Sequence, residues 1–305
     1  MNIIYRPPRP TGKFTIETSS IETKSHNLFT DYGMTQIYKP GKNTVISTSD
    51  GGIFKHCRIG NGTVPLTEKS TSLSNGINLT SKLTSSRLSY MTENSVRYAQ
   101  GIFKYELSGE YIGDITEIML TSTPSNSGMI CGKTLDSPIK VGSGEVIKVT
   151  YVVKIPIISN IDNILDTGIV TDSTTGREHK YTFSGRFHTE TQTTLSTILP
   201  LESDWVISGN LSRMYVNNNI LAVGQTRYKC DVETDGGNLT YQIKSSIMGN
   251  VGSLDIVNAN FANTDTSSTS IDNYPFRLVF EPAMSKPSGL DWNIDFRINV
   301  DIGRD

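Results

Sequence analysis

From Asp291 to Ile302 the chain alternates without a fault. Trp292, Ile294, Phe296, Ile298, Val300 and Ile302 fall on one side, and Asp291, Asn293, Asp295, Arg297, Asn299 and Asp301 on the other. Successive side chains of a strand point to opposite faces, so the pattern specifies a strand with one buried and one wetted face. A helix would scatter the same apolar residues around its circumference. At ~3.3 Å per residue such a strand runs roughly 35 Å, longer than the usual five or six residues. Glu145 to Ile155 obeys the same rule, with Ile147, Val149, Tyr151, Val153 and Ile155 sharing a face. Shorter alternating runs lie at Tyr181 to Phe183, Leu239 to Ile243 and Phe276 to Phe280. Turn-forming clusters separate them: Gly51-Gly52, Asn75-Gly76, Gly142-Ser143-Gly144 and Asp235-Gly236-Gly237.

Short strands punctuated in this way make sandwiches or barrels. The expected fold is all-β: two β-sandwich domains, jelly-roll-like or Ig-like, over residues 13–156 and 166–305. An extended N-terminal arm, residues 1–12, precedes them and contains three prolines. Pro156 is expected to end the long strand at Ile155. The one helix candidate, Ser159 to Asp166, reads equally well as a connector between the domains. Asn263 to Ser270 reads as a polar loop, and no repeat of 20–50 residues is present.

Composition narrows the class further. Of the 305 residues 36% are hydrophobic and 19% charged, too few charges for a coiled coil, and the 26 glycines have no collagen period. A net charge of -2 with 13 Tyr, 10 Phe and 2 Trp argues against disorder. The 28 Lys and Arg face 30 Asp and Glu with no long basic run, so no nucleic-acid partner is expected. The first residues lack the basic and apolar regions of a signal peptide, and no stretch approaches the roughly 18 apolar residues of a membrane span. Cys57, Cys131 and Cys230 are therefore read as reduced, partly buried thiols of a protein made in a cytoplasm. The sequons at Asn61, Asn78, Asn210 and Asn238 would matter only in a eukaryotic secretory pathway.

Chemistry-bearing patterns are few. His26, His56, His179 and His188 form no H-x-x-x-H or H-E-x-x-H arrangement, and His56 and Cys57, neighbours on a strand, face opposite ways. The nucleophile elbow G-x-S-x-G is absent. Gly60-Asn61-Gly62 and Gly142-Ser143-Gly144 open like phosphate loops but lack the third glycine and a following helix, so they read as turns. Asp231, Glu233 and Asp235 alternate before Gly236 as at the start of a calcium loop, yet position twelve is Gln242 rather than a bidentate Glu. The plainer reading is a wet strand face followed by a turn. Carboxylates paired in space for glycoside hydrolysis leave no trace in sequence order. Trp292 belongs to the apolar stripe of the last strand, whereas Trp205 is either an amphipathic interface anchor or a core residue. No catalytic residue, cofactor or metal site is assigned, and no enzymatic activity is expected.

Four stretches carry a resemblance. They are Asn27-Leu28-Phe29-Thr30-Asp31-Tyr32-Gly33-Met34; Cys57-Arg58-Ile59-Gly60-Asn61-Gly62 with Pro65 and Ser72-Leu73; Ile115-Thr116-Glu117-Ile118 with Leu135 to Ile139 and Gly144 to Tyr151; and Phe276 to Phe280 with Pro282, Met284 and Lys286. In order and spacing they resemble β-rich structural proteins of tailed bacteriophage particles, from the tail, neck or fibre attachment. Ala283 departs from the double proline of that pattern.

The resemblance implies a virion component, synthesised in the bacterial host cytoplasm, that forms a homo-oligomer in the tail or neck. Its partners would be copies of itself and the tail tube, the collar or portal, or fibre proteins. The alternative is a receptor-binding fibre or spike head that recognises host-surface glycan. On either reading the arm carries the interface candidates Tyr5, Arg6, Pro7 and Pro8, since proline lowers the entropy lost on docking.

Overall fold

The alternating stretches are strands in the computed structural model. It describes residues 2–6, 8–18, 22–38, 44–108, 110–157 and 164–185, then 194–195, 205–208, 214–216, 219–221, 228–229, 231–234, 240–247, 254–263, 276–286 and 289–301. In the first half the elements are β1 (Asn2–Tyr5), β2 (Thr11–Glu17), β3 (Glu22–His26), β4 (Leu28–Phe29), α1 (Asp31–Tyr38) and β5 (Ile46–Ser47). There follow β6 (His56–Gly60), β7 (Thr80–Glu93), β8 (Val96–Ser108), β9 (Gly113–Thr121), β10 (Met129–Val141) and β11 (Ile147–Ile157). The second half contains β12 (Ile164–Thr171), β13 (Glu178–Gly185), β14 (Thr194–Leu195), β15 (Trp205–Ser208), β16 (Met214–Val216) and β17 (Asn219–Leu221). It closes with β18 (Tyr228–Lys229), β19 (Asp231–Thr234), β20 (Thr240–Ile247), β21 (Leu254–Asn263), β22 (Phe276–Lys286) and β23 (Trp292–Val300). The protein is mostly β, as the alternation requires.

A five-stranded sheet, ordered β3-β2-β11-β8-β7, forms the first layer. β11 sits at its centre because both of its neighbours match its period. Phe14, Tyr151 and Phe103 share one cross-strand row, and Ile16, Val149 and Tyr105 the next. All six are at most 1% exposed. The opposite face is wet and carries Lys13, Lys148 and Lys104. A second layer, ordered β4-β10-β9-β6, presents Cys57, Leu120 and Cys131 in one row. The layers join through aromatic and polar contacts. Phe54 lies 5.3 Å from Phe103 and 5.7 Å from Tyr151, ring to ring, and Cys131 donates to the Tyr151 hydroxyl at 3.3 Å. Tyr105 donates its hydroxyl proton to the Phe54 carbonyl. Each of these fully buried aromatic rings contributes roughly 2–3 kcal/mol through the water it displaces.

Two features depart from the sequence expectations. The long strand does not end at Ile155: Pro156 continues it, opposite Tyr98, and Ile157 follows. Pairing with β2 stops at Lys154, so beyond that point β11 is paired on one side only, the edge setting in which a strand tolerates proline. The helix also lies elsewhere. Ile164 to Asp166 belong to β12, and 159–163 lie outside the described residues, whereas Asp31–Tyr38 is helical. Thr30 is its N-cap, accepting from the Gly33 N–H at 2.9 Å, with Asp31 in the first turn. The helix crosses β10 so closely that a Cβ on Gly33 would stand 1.9 Å from the Ile130 carbonyl oxygen.

The C-terminal strands form a six-stranded sheet, β12-β13-β22-β21-β15-β18, and a four-stranded one, β1-β23-β20-β19. Phe183, Leu278, Phe280 and Met284 belong to the same buried apolar cluster as the N-terminal layers. The halves are also tied by backbone: β5 pairs with β14, and β1 pairs in parallel with β23, from Asn2 opposite Arg297 to Tyr5 opposite Val300. Among the described residues no helix is long and apolar enough to cross a membrane.

Candidate functional site

The outer face of the second layer is covered by the long connection between β6 and β7, and one carboxylate fastens it. Glu117 of β9 is 0% exposed. Its Oε2 accepts from the N–H groups of Gly62 at 3.2 Å and Asn75 at 3.3 Å. Its Oε1 accepts from the Ser74 N–H at 3.2 Å and the Ser74 hydroxyl at 2.7 Å. The loop thus closes around the acid from both ends. A Cβ on Gly62 would stand 1.7 Å from Ser74 Oγ and 2.5 Å from Glu117 Oε2, so only glycine fits there.

Other contacts fasten the rest of the loop. The Leu66 N–H reaches Thr134 Oγ1 at 2.9 Å, and Asn126 exchanges two hydrogen bonds with the Leu73 backbone. The Met129 N–H donates to the Thr71 carbonyl, and the Asp31 N–H, at the start of α1, to the Glu68 carbonyl. Leu73, Met119 and Met129, with Leu66 beside them, form a small second core beneath the loop. Arg58 donates to the Leu79 carbonyl at 3.0 Å and holds the far end.

Both carboxylate oxygens of Glu117 are thus occupied by donors of the 61–79 connection. What the loop presents outward is different. Three connections leave the stacked layers at the same end, those after β6, before β9 and between β10 and β11, since Gly113 pairs with Val141 and Gly60 with Glu117. Each displays one exposed aliphatic side chain: Val64 at 63%, Ile112 at 71% and Val146 at 53%. These three connections therefore each leave one apolar side chain in water at that end of the layers.

The residues singled out from sequence are dispersed. Tyr5 ends β1, and Arg6 forms an exposed ion pair with Asp301 at 3.0 Å. The Pro8 carbonyl accepts from the Tyr38 hydroxyl at 3.1 Å, and Pro7 lies outside the described residues. The arm therefore has partners within its own chain. Trp205 pairs with Asn263 in the six-stranded sheet. Asp231 and Glu233 lie on β19, with Glu233 directly opposite Gln242, so positions one to twelve of the calcium-like pattern run up and down a hairpin. Asp235 lies outside the described residues. Among those described, no three His, Cys, Asp or Glu gather as a metal would need.

Cys57 and Cys131 are free and buried. Both pair with Leu120, one on each side of it, so their Cα atoms stand about two strand spacings, ~9.6 Å, apart, beyond the ~7 Å limit of a disulfide. Burial pushes the Cys131 thiol up to about 12, and pushes Cys57 higher still. Such thiols are inert in the folded protein.

Comparison with protein-family models, with curated proteins and with solved structures returns no match for this chain.

Proposed function

We propose that the chain is a structural component of a tailed-phage particle, a homo-oligomer of the tail or neck that links the tail to fibres and acts by assembly. The supporting observation is the convergence around the 61–79 loop. Three of the four stretches that carry the resemblance, distant in sequence, are one physical unit. Glu117 of the third binds Gly62 at the end of the second, and the loop that follows accepts from Asp31 of the first. A spacing that loose strands and turns would not need to keep is what this unit needs. The two-sandwich architecture, divided between residues 156 and 166, belongs to the same proposal. On this reading the stacked sheets supply rigid faces between protomers, and the loop end bearing Val64, Ile112 and Val146 docks a neighbouring particle protein.

Native mass measurement of the full chain tests the proposal, together with a protein inventory of gradient-purified particles. A closed oligomer of three or more copies, and the chain recovered with the particles in a whole multiple of that number, are expected. A protein that stays monomeric at every concentration and is missing from washed particles overturns it.

A further inference from the structure

The wet face of the five-stranded sheet carries an unbalanced charge. Cross-strand rows on this face read Lys82, Glu106, Lys148, Glu17; then Lys104, Thr150, Thr15; then Arg87, Ile102, Val152, Lys13. Lys154, a further cation, is already paired with Glu93 at 2.6 Å. Setting that pair aside, β7, β8, β11 and β2 place five cations against two carboxylates; β3 adds Lys24 opposite Thr15 and Glu22 opposite Glu17, so the excess stays at three. The whole chain has net charge -2, so this excess leaves five surplus negative charges on the rest of the molecule.

From this geometry we infer that the face is a docking surface for a second copy of the chain, whose remaining surface carries the opposite net charge, an inference that rests on the homo-oligomer reading above. Ile102 and Val152, half-buried neighbours at the centre, supply an apolar core, and the lysines and Arg87 a charged rim. Four strands at ~4.8 Å spacing and ~35 Å length give a patch close to the roughly 800 Å² each partner contributes to a standard interface. The interspersed Glu17 and Glu106 would repel a uniform polyanion such as nucleic acid, whereas a protein patch of mixed charge satisfies both signs. A basic face that meets an acidic one elsewhere on the same chain is not self-complementary. Such a contact is head-to-tail and builds a ring where the rotation closes and an open filament where it does not.

The test is sedimentation and native mass of the full-length protein. Wild type is expected to associate at about 50 mM salt and to loosen at about 500 mM, where screening acts within ~5 Å. Lys104→Glu with Lys148→Glu, both exposed, should weaken association roughly tenfold or more with an unchanged circular dichroism spectrum. Glu17→Gln should strengthen it, a change of opposite sign that damage to the fold would not produce. Carbodiimide cross-linking of mixed light and heavy-isotope protein should join Lys104 or Lys148 to carboxylates of another copy. An oligomer indifferent to salt and to both variants overturns this inference and leaves the homo-oligomer reading standing. A monomer under all conditions overturns both.

Discussion

At the residue scale the molecule turns on a few buried polar groups whose partners are distant in sequence. Glu117 is the clearest. Replacing it with Ala strands three backbone N–H groups under a docked loop and should cost about 3–5 kcal/mol in urea unfolding. Glu117→Gln keeps one acceptor oxygen and should cost roughly half as much. Hydrogen exchange at Gly62, Ser74 and Asn75 should speed up in both, which separates loop release from general loosening.

The thiols give a second prediction. Burial raises both above the unfolded value of about 8.5, so the native state holds protons that the unfolded chain releases. Their contribution is complete below pH ~8.5 and is lost as pH rises toward the folded values, at up to ~1.4 kcal/mol per pH unit for each thiol. Unfolding free energy should therefore fall between about pH 9 and 10, and Cys57→Ala with Cys131→Ala should flatten that slope even while lowering the plateau.

At the scale of elements, legibility followed local pattern. β11, β13, β22 and β23 were readable because one face of each run is apolar at every second residue, a property of the strand itself. α1 was missed because eight residues with a glycine at Gly33 give little helical period; its signal was the pair Thr30-Asp31, a cap followed by a first-turn acid. The β7–β8 hairpin was missed for a different reason. Its two-residue turn, Asn94-Ser95, has positive φ at both positions (48° and 65°) without a glycine to announce it. A turn of that kind favours Asn-Gly, so Ser95→Gly should stabilise the protein by roughly 0.5–1 kcal/mol, read as a rise in thermal midpoint. Glu117 was unreadable in principle: in Thr116-Glu117-Ile118 it looks like any wet position, and only a loop more than forty residues away buries it.

At the scale of the whole molecule, the joining of the two ends matters most. β1 covers one side of β23, and Arg6 clasps Asp301 just beyond it. Deleting residues 1–11 removes this cover and β2's first residue. The shortened protein should keep the stacked N-terminal layers, seen as retained aromatic near-ultraviolet dichroism, and should scatter light on standing, because an uncovered strand edge invites pairing with other chains. Particle assembly by the shortened chain measures separately whether the arm also serves a neighbour.

The same joining sets an order of events during synthesis. β1 is synthesised before its partner β23, which follows 295 residues later from Tyr5 to Val300. At ~5–20 residues per second it waits roughly 15–60 s for its partner. Until β23 emerges β1 lacks its pairing strand, so this sheet can close only after residue 300 has been made.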